Sequence, residues 1–381
     1  MKFRIKIYYF FINELRQLKK APLPIILALV MPVIAWLILT FTFQHGNIEQ
    51  IPIAVVDLDN SSLSRKITSY LDATQALDVS YKSRSYQDAY EAMQNQKVFS
   101  IIVLNENLEK DIKRGNSSSV KVVTNAAFLL YSKISYRAIA QTLMTVSTGI
   151  QIRKFEVKGF KPDIAMNYAL PVRTEINVMG NSYLNYGFYL IPGMIFAILQ
   201  MSASFSTLWL FRQHREHLAG RIIPRKGQKA AFFIGKITPV FLANTLSVII
   251  IYLLISPLAK VPLNSSSWLL ILFTLLLTYV SMGMGALLSV SLANLVTSSQ
   301  LLLILNAPAF VISGYTFPRW AMPEALQYFS NIVPVTHFLN GFFSYYIFDN
   351  PTTTGLLELI IMGIVLWGLT WLMLTKFGIF W

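Results

Sequence analysis

The sequence predicts an α-helical polytopic membrane protein with six transmembrane helices and an extracytoplasmic α/β domain inserted after the first of them. Three observations predict it. The chain is 54% hydrophobic and only 13% charged, with a mean hydropathy of +0.52, whereas soluble domains carry about 25% charged residues. Six runs reach the roughly 20 mostly apolar residues that a membrane-spanning helix needs. One long block, Gln44 to Gly187, reads instead as soluble sequence, with 16 Lys/Arg against 13 Asp/Glu.

Residues 1–22 come first. In "YYFFINELRQLKKAP" (Tyr8–Pro22) aromatics gather on one side, and Glu14, Arg16, Lys19 and Lys20 give a polar face. This suits an amphipathic helix lying in the cytoplasmic interface; a plain basic flank is the alternative. Residues 23–43 form the first span, kinked at Pro32. Its apolar run is longer than a signal-peptide h-region and no A-x-A-like site follows, so it is expected to be an uncleaved anchor.

The block 44–187 alternates strand and helix patterns. "IPIAVVDLDN" is an apolar, β-branched run ending in turn residues, and "SSLSRKITSYLDA" follows with a serine cap. "ALDVSYK", "VFSIIVL" and "SVKVVTN" read as further strands. "SYQDAYEAMQNQ" and "NENLEKDIKRG" read as helices, and a long helical stretch runs from Ala126 to about Lys158. Such alternation predicts an α/β layer domain.

Residues 188–381 hold the other five spans, at Phe188–Phe211, Ala231–Ser256, Trp268–Ala293, Val296–Tyr315 and Gly355–Thr375, with a cytoplasmic loop at 212–230 and a broken segment at 317–345. The chain carries a net charge of +14, which has two readings, a nucleic-acid-binding face or cytoplasmic loops. Outside the soluble block, Lys2, Arg4, Lys6, Arg16, Lys19 and Lys20 precede the first span, seven basic residues lie from Arg212 to Lys236, and Lys376 follows the last span. With six spans and a cytoplasmic N-terminus all of these fall on the cytoplasmic side, leaving Lys260 and Arg319 outside. This positive-inside pattern places both termini in the cytoplasm and the α/β domain outside. It accounts for the charge without nucleic acid.

Several chemistries are missing from the sequence. There is no cysteine, hence no disulfide or thiolate site. HExxH and GxSxG are absent. His214 and His217 stand at helical spacing in a basic loop with no matching ligand cluster. Gly235-Lys236 is followed by Ile237, and Ala230 occupies the first glycine position of a Walker A loop, so the chain has no such ATPase site. Glu358 is the one carboxylate inside the six spans, near the outer end of the last; it reads as an interfacial residue facing water. Proton- or sodium-coupled carriers usually hold more.

"PRWAMPEALQYFSNIVPVTHFLNGFF" (Pro318–Phe343) is apolar and aromatic, yet carries Pro318, Pro323 and Pro334 with charge at Arg319 and Glu324. Irregular backbone at membrane depth survives only when buried in protein or lining a cavity. The segment is therefore either re-entrant or an amphipathic loop on the outer surface.

The order of these parts resembles the permease subunits of type-2 ABC (ATP-binding cassette) exporters. "NELRQLKKAP" is similar to the family's interfacial helix, with Glu14, Arg16 and Lys19 at its positions. "IAVVDLDNSSLSRKI" resembles the opening of the external domain in the subfamily with a large insert. "SGYTFPRWAMPEALQYFSNIVPVTHFLNGF" resembles the family's hallmark before the last helix, and the resemblance implies a re-entrant gate carried by Pro318, Pro323, Pro334 and His337. The family's cytoplasmic loop has an E-x-GT-x-x-x-L-x-x-x-P pattern. Here Glu216 is followed by "HLAGRIIP", shorter and without GT. The implied ATPase-docking residues are Arg215, Glu216, Gly220 and Pro224, and the departure implies a specialised ATPase or a paralogous partner permease.

The resemblance further implies a transport subunit that is not itself an enzyme and binds no cofactor, with ATP and Mg on separate ABC ATP-binding subunits. It implies a dimer, of identical or paralogous permeases, in the bacterial cytoplasmic membrane. The expected activity is outward movement of hydrophobic or amphiphilic small molecules (drug, lipid-like or peptide), with a periplasmic adaptor or outer-membrane duct as a further partner open to the external domain. The alternative is a membrane-anchored sensor or scaffold whose external domain binds a ligand or partner.

Overall fold

The computed structural model describes residues 3–43, 46, 48–172, 174–178, 185–216, 224, 227–259, 267–348 and 355–376. They fall into two compact units. One comprises Met1–Gly46 with Val178–Trp381, and the other is Asn47–Asn177.

The discontinuous unit opens with α1 (Phe3–Lys20), α2 (Leu23–Ile25), a π-helical turn (Ile26–Val30) and α3 (Met31–Thr42). The sequence predicts a simple proline kink at Pro32, but the ladder shifts to π register before the proline. Met31 N–H bonds to the Ile26 carbonyl, five residues back. In that register the next donor would be residue 32, and proline has none. The carbonyl left over is that of Leu27, and the Ser202 hydroxyl donates to it.

The second unit contains β1 (Ile51–Asp57), α4 (Ser62–Asp72), β2 (Leu77–Ser83), α5 (Tyr86–Gln94), β3 (Ser100–Leu104), α6 (Leu108–Arg114), β4 (Val120–Thr124), α7 (Leu129–Val157) and α8 (Pro162–Ala169). The sheet order is β2-β1-β3-β4. β1 pairs in parallel with β2 and β3, and β4 returns antiparallel to β3. The β1–β2 register slips between Pro52 and Ala54, where proline cannot donate to the ladder. Both faces of the sheet are covered, as parallel strands require. Ile53, Val55, Ile102 and Leu104 pack on one side with Ile67, Leu71 and Ile139. Ala54, Val56, Ile101 and Val103 pack on the other with Ala89, Ala92 and Met93. The strands and helices follow the predicted order; α8 is an addition that sequence patterning does not anticipate.

The loop between β1 and α4 is a polar network. Ser61 and Ser64 form a reciprocal capping box at the start of α4, and Asp57 Oδ1 accepts from the backbone of Asp59 and Asn60. Glu109, from α6, accepts the backbone N–H of Ser62 at 3.0 Å and the Ser62 hydroxyl at 2.9 Å, so a carboxylate sits where a helix N-terminus favours one. Lys113 beside it at 2.6 Å and these donors hold its carboxyl down at about 2.

The first unit resumes with α9 (Tyr186–Glu216), α10 (Lys229–Ala259), α11 (Ser267–Ser291), α12 (Leu295–Asn306), α13 (Ala309–Ile312), a 3₁₀ turn (Arg319–Ala321), α14 (Glu324–Ser330), α15 (Pro334–Phe348) and α16 (Leu356–Lys376). Among the described residues six helical stretches are long and apolar enough to cross a membrane: Leu23–Thr42, Tyr186–Gln213, Lys229–Leu254, Trp268–Ser291, Leu295–Ile312 and Leu356–Thr375. The fifth differs from its predicted form. It ends at Ile312 instead of Tyr315, and its helix is interrupted at Ala307 and Pro308, where the proline leaves the ladder without a donor.

α9 and α11 meet along small and hydroxylated residues. Ser202, Ser204, Ser206 and Thr207 on one helix, and Thr274, Thr278, Ser281 and Ser289 on the other, are all buried. Apart from Ser202, which donates to Leu27, their hydroxyls turn back onto helix carbonyls or cross the gap, as Ser289 does to the Leu208 carbonyl at 3.0 Å. Small residues let membrane helices approach closely. At Gly285 the approach is so close that an added Cβ would lie 1.9 Å from the Ser204 carbonyl oxygen.

Three outcomes are expected. Gly285→Ala must push α9 and α11 apart and should cost about 1–3 kcal/mol, seen as a lower unfolding temperature in detergent. Gly149→Ala, on exposed α7 with open space around it, should instead stabilise by up to about 1 kcal/mol. In acid, the Glu109 contact should persist above its unfolded value of about 4.5 and be lost as pH falls toward about 2. Amide exchange of Ser62 and Leu63 measures that loss, and Glu109→Gln should remove its pH dependence.

Candidate functional site

The apolar unit offers three places where polar groups are held among spans, and the residues singled out in the sequence distribute unevenly over them.

The first lies between α1 and α10. α1 packs directly on α10, and at Gly235 an added Cβ would meet Phe10 Cβ at 2.7 Å and the Ile7 carbonyl at 2.9 Å. Phe10 and Phe232 pack edge to face at 5.3 Å. One turn further along α1, Glu14 does not join the polar face assigned to it by sequence: it is buried, and its Oε1 accepts from Lys236 Nζ at 2.8 Å. The cause is simple. Lys236 lies inside a candidate span, where an unpaired ammonium is costly, and Glu14 is the carboxylate within reach. The ammonium also lies 5.9 Å from the centre of the Phe211 ring, close enough for cation–π attraction. Arg16 and Lys19 remain exposed. The overlooked signal was a lysine six residues into an apolar run.

The second centres on Gln200, fully buried in α9. Its Nε2 donates to Asn306 Oδ1 at 3.0 Å, on the last turn of α12. Its Oε1 accepts the Val335 N–H at 2.6 Å, one of the orphan donors of a helix N-terminus. One side chain thus joins α9, α12 and α15. Sequence reading missed it, because a single glutamine in an apolar run has no distinctive pattern. In the chain's first span, the Trp36 indole N–H and the Thr40 hydroxyl are buried one turn apart on α3, with no hydrogen-bond partner among the described residues.

The third is the proline-rich segment. Pro318 caps the 3₁₀ turn, Pro323 caps α14, and Pro334 is the first residue of α15. Each stands at a helix start, where the missing N–H costs nothing. Pro318 and Pro323 are exposed while Pro334 is buried, and from Val333 to Leu339 every side chain of α15's first turns is buried. Arg319 Nη2 reaches Asn331 Oδ1 at 2.5 Å, and the Tyr189 hydroxyl donates to the Tyr315 carbonyl at 2.7 Å. His337 bonds through Nδ1 to Glu358 Oε2 at 2.5 Å and through Nε2 to the Asn331 carbonyl at 2.8 Å. Glu358 is thus half exposed but paired, beyond the purely interfacial role that its position in the sequence suggests.

The docking residues predicted in the loop are only partly described. Arg215 and Glu216 lie in the last turn of α9, so the stretch from Gln213 is the end of a 31-residue helix and no separate helix starts there among the described residues. Gly220 lies outside the described residues, and Pro224 is buried.

Comparison with known proteins gives one family over nearly this whole arrangement. The family described as ABC-2 family transporter protein matches residues 23–374. The chain is 23% identical over 386 residues to the probable multidrug ABC transporter permease YbhS of Escherichia coli (strain K12), covering 95% of this chain and 94% of that protein. It is 22% identical over 317 residues to the probable multidrug ABC transporter permease YbhR of the same strain, covering 81% of each.

Glu14→Ala is expected to strand Lys236 and to lower stability by about 3–5 kcal/mol. A Glu14→Leu, Lys236→Met double variant should recover most of that loss. Thermal unfolding of the detergent-solubilised chain measures both, and equal destabilisation by the double variant would contradict the pairing.

Proposed function

The chain belongs to the ABC-2 transporter family, and from that premise we propose that it is the permease subunit of an ATP-driven exporter. It moves hydrophobic or amphiphilic small molecules outward across a bacterial cytoplasmic membrane. The observation that carries this reading is the family match from the first span to the last, on a chain with six candidate spans. The relatives' names as multidrug permeases support the cargo class.

The energy comes from separate ATP-binding subunits, which hold ATP and Mg. Two permeases, identical or paralogous, stand above them. Both termini face the cytoplasm and the Asn47–Asn177 unit faces outward, an orientation supported by the basic residues flanking the spans. The α/β unit is then placed to meet a periplasmic adaptor or an outer-membrane duct.

Three features support a mechanical route. At its cytoplasmic end α9 carries Arg215 and Glu216, the residues taken to meet the ATPase. α9 carries an internal proline at Pro192, but the stretch from Gln200 to Glu216 has none, so a push at that end reaches Gln200 along unbroken helix. α1 moves with α10 because Glu14 and Lys236 lock them. Gln200 then passes the displacement of α9 to α12 and α15, the helix that begins the gate at Pro334. The cargo path is apolar and aromatic.

Purification of the tagged chain from native membranes should recover a stoichiometric ATP-binding subunit with vanadate-sensitive hydrolysis. In proteoliposomes, efflux should stop when that subunit's Walker A lysine is replaced. Gln200→Leu should leave the complex intact but slow efflux about tenfold, the scale of losing a buried hydrogen-bonded contact. Efflux that continues with the inactive ATPase would overturn the reading.

A further inference from the structure

The contact between His337 and Glu358 fixes a proton count. Nε2 of His337 faces the Asn331 carbonyl at 2.8 Å. A carbonyl only accepts, and so does an ionised carboxylate, so His337 stands between two acceptors and a neutral imidazole has one N–H to share between them. Nδ1 faces Glu358 Oε2 at 2.5 Å. In a neutral imidazole with hydrogen on Nε2, Nδ1 is a bare acceptor, and a carboxylate opposite it would place two lone pairs against each other. Keeping both contacts therefore needs one more proton between these two atoms, on Nδ1 or on Oε2. With it both contacts are hydrogen bonds; without it one of the two, to Glu358 or to Asn331, places lone pair against lone pair, and the chain of contacts is broken at that point.

We propose that this shared proton is a latch that fastens the gate segment to α16. The connections show what the latch holds. His337 lies in the first turn of α15 and Glu358 in the first turn of α16. Asn331 sits in the turn between α14 and α15, and its side chain is gripped by Arg319 from the 3₁₀ turn at 2.5 Å. The chain Arg319, Asn331, His337, Glu358 thus ties four successive pieces of the segment together by polar contacts. Glu358 is half exposed, so the proton exchanges with bulk water, while His337 is buried.

No other described charge competes for the site. The elements packed against α15 are α9, α11, α13 and α16. α11 and α13 carry no charged residue. The charged residues of α9 are Arg212, His214, Arg215 and Glu216, in its last turns, whereas its contacts with α15 include Phe196 against Phe338 and Phe342 and Gln200 against the Val335 N–H, none of them charged. Besides Glu358, α16 carries only Lys376, at its far end. Glu324 of α14 is exposed, and Arg319 reaches the pair through Asn331. The latch is closed at lower pH and opens as pH rises. This follows from the contact geometry alone and stands whether or not the export reading is correct.

The test is amide hydrogen exchange, by mass spectrometry, on the full chain in lipid nanodiscs from about pH 5 to about pH 9, which brackets the interval of about pH 5–8 where imidazoles in general change charge, with intrinsic rates corrected. Peptides spanning 331–340 should exchange about tenfold faster at the high end, the scale of one charge-assisted hydrogen bond, while peptides of α11 stay flat. Glu358→Gln decides the matter. Its amide donates to the bare Nδ1 or accepts from the protonated one, so protection should stay high at every pH. Glu358→Leu should give fast exchange throughout. A wild-type profile without pH dependence, or a Glu358→Gln profile that keeps the wild-type dependence, would overturn the latch.

Discussion

A proline cannot donate a backbone hydrogen bond, and inside an apolar bundle no water takes its place. Much of the membrane unit is arranged around the donors that are missing. Ahead of Pro32 the first span slips into π register, and Ser202 supplies the bond that Leu27 lacks. At α15 the need is the reverse: the Val335 N–H, next to Pro334, is an orphan donor of the helix start, and Gln200 supplies its acceptor. Both repairs come from α9, two residues apart, which on a helix turns the side chains about 200° from one another. One helix therefore reaches the first span with one face and the start of α15 with the opposite face. That makes α9 the post on which the broken elements lean, and it explains why Gln200 and Ser202 stand among its buried leucines and phenylalanines.

The second organising feature is a charge that has no business in lipid. Lys236 is tolerated because α1 delivers Glu14 to it, and this turns a helix that could drift in the interface into one clamped to α10. The sequence offered the lysine and the glutamate but not their pairing. They are more than two hundred positions apart, and nothing in local pattern relates them. The same holds for Gln200 with Asn306 and for His337 with Glu358: each partner is visible alone, and each contact exists only because separate helices are packed together.

What was legible follows from physics that acts locally. Apolar length gave the six spans within a few residues, and strand and helix alternation in Asn47–Asn177 gave β1 through α7 in order. The "DLDNSS" stretch stood out as a turn; that it is a closed network with Glu109 as its far anchor depends on α6 and was not readable. Pro308 carried the break in the fifth span in plain view, yet hydropathy averaging smooths over a single residue. Pro318, Pro323 and Pro334 interrupt the segment, as their positions in the sequence imply, but they stand at helix beginnings, where they set direction and leave the ladder that follows intact.

The backbone of Gly46 accepts from the N–H of Tyr186 at 2.9 Å and from that of Gly187 at 3.3 Å, and the Phe43 and Tyr186 rings meet edge to face at 6.0 Å. The chain thus leaves the membrane unit and rejoins it at a single point. For a polymer held so, the entropy of the excursion depends only weakly on its length, about 0.6 kcal/mol per doubling. The α/β unit is consequently a cassette. Its size and surface can drift, be trimmed or be exchanged over evolutionary time while the six-span unit keeps its packing.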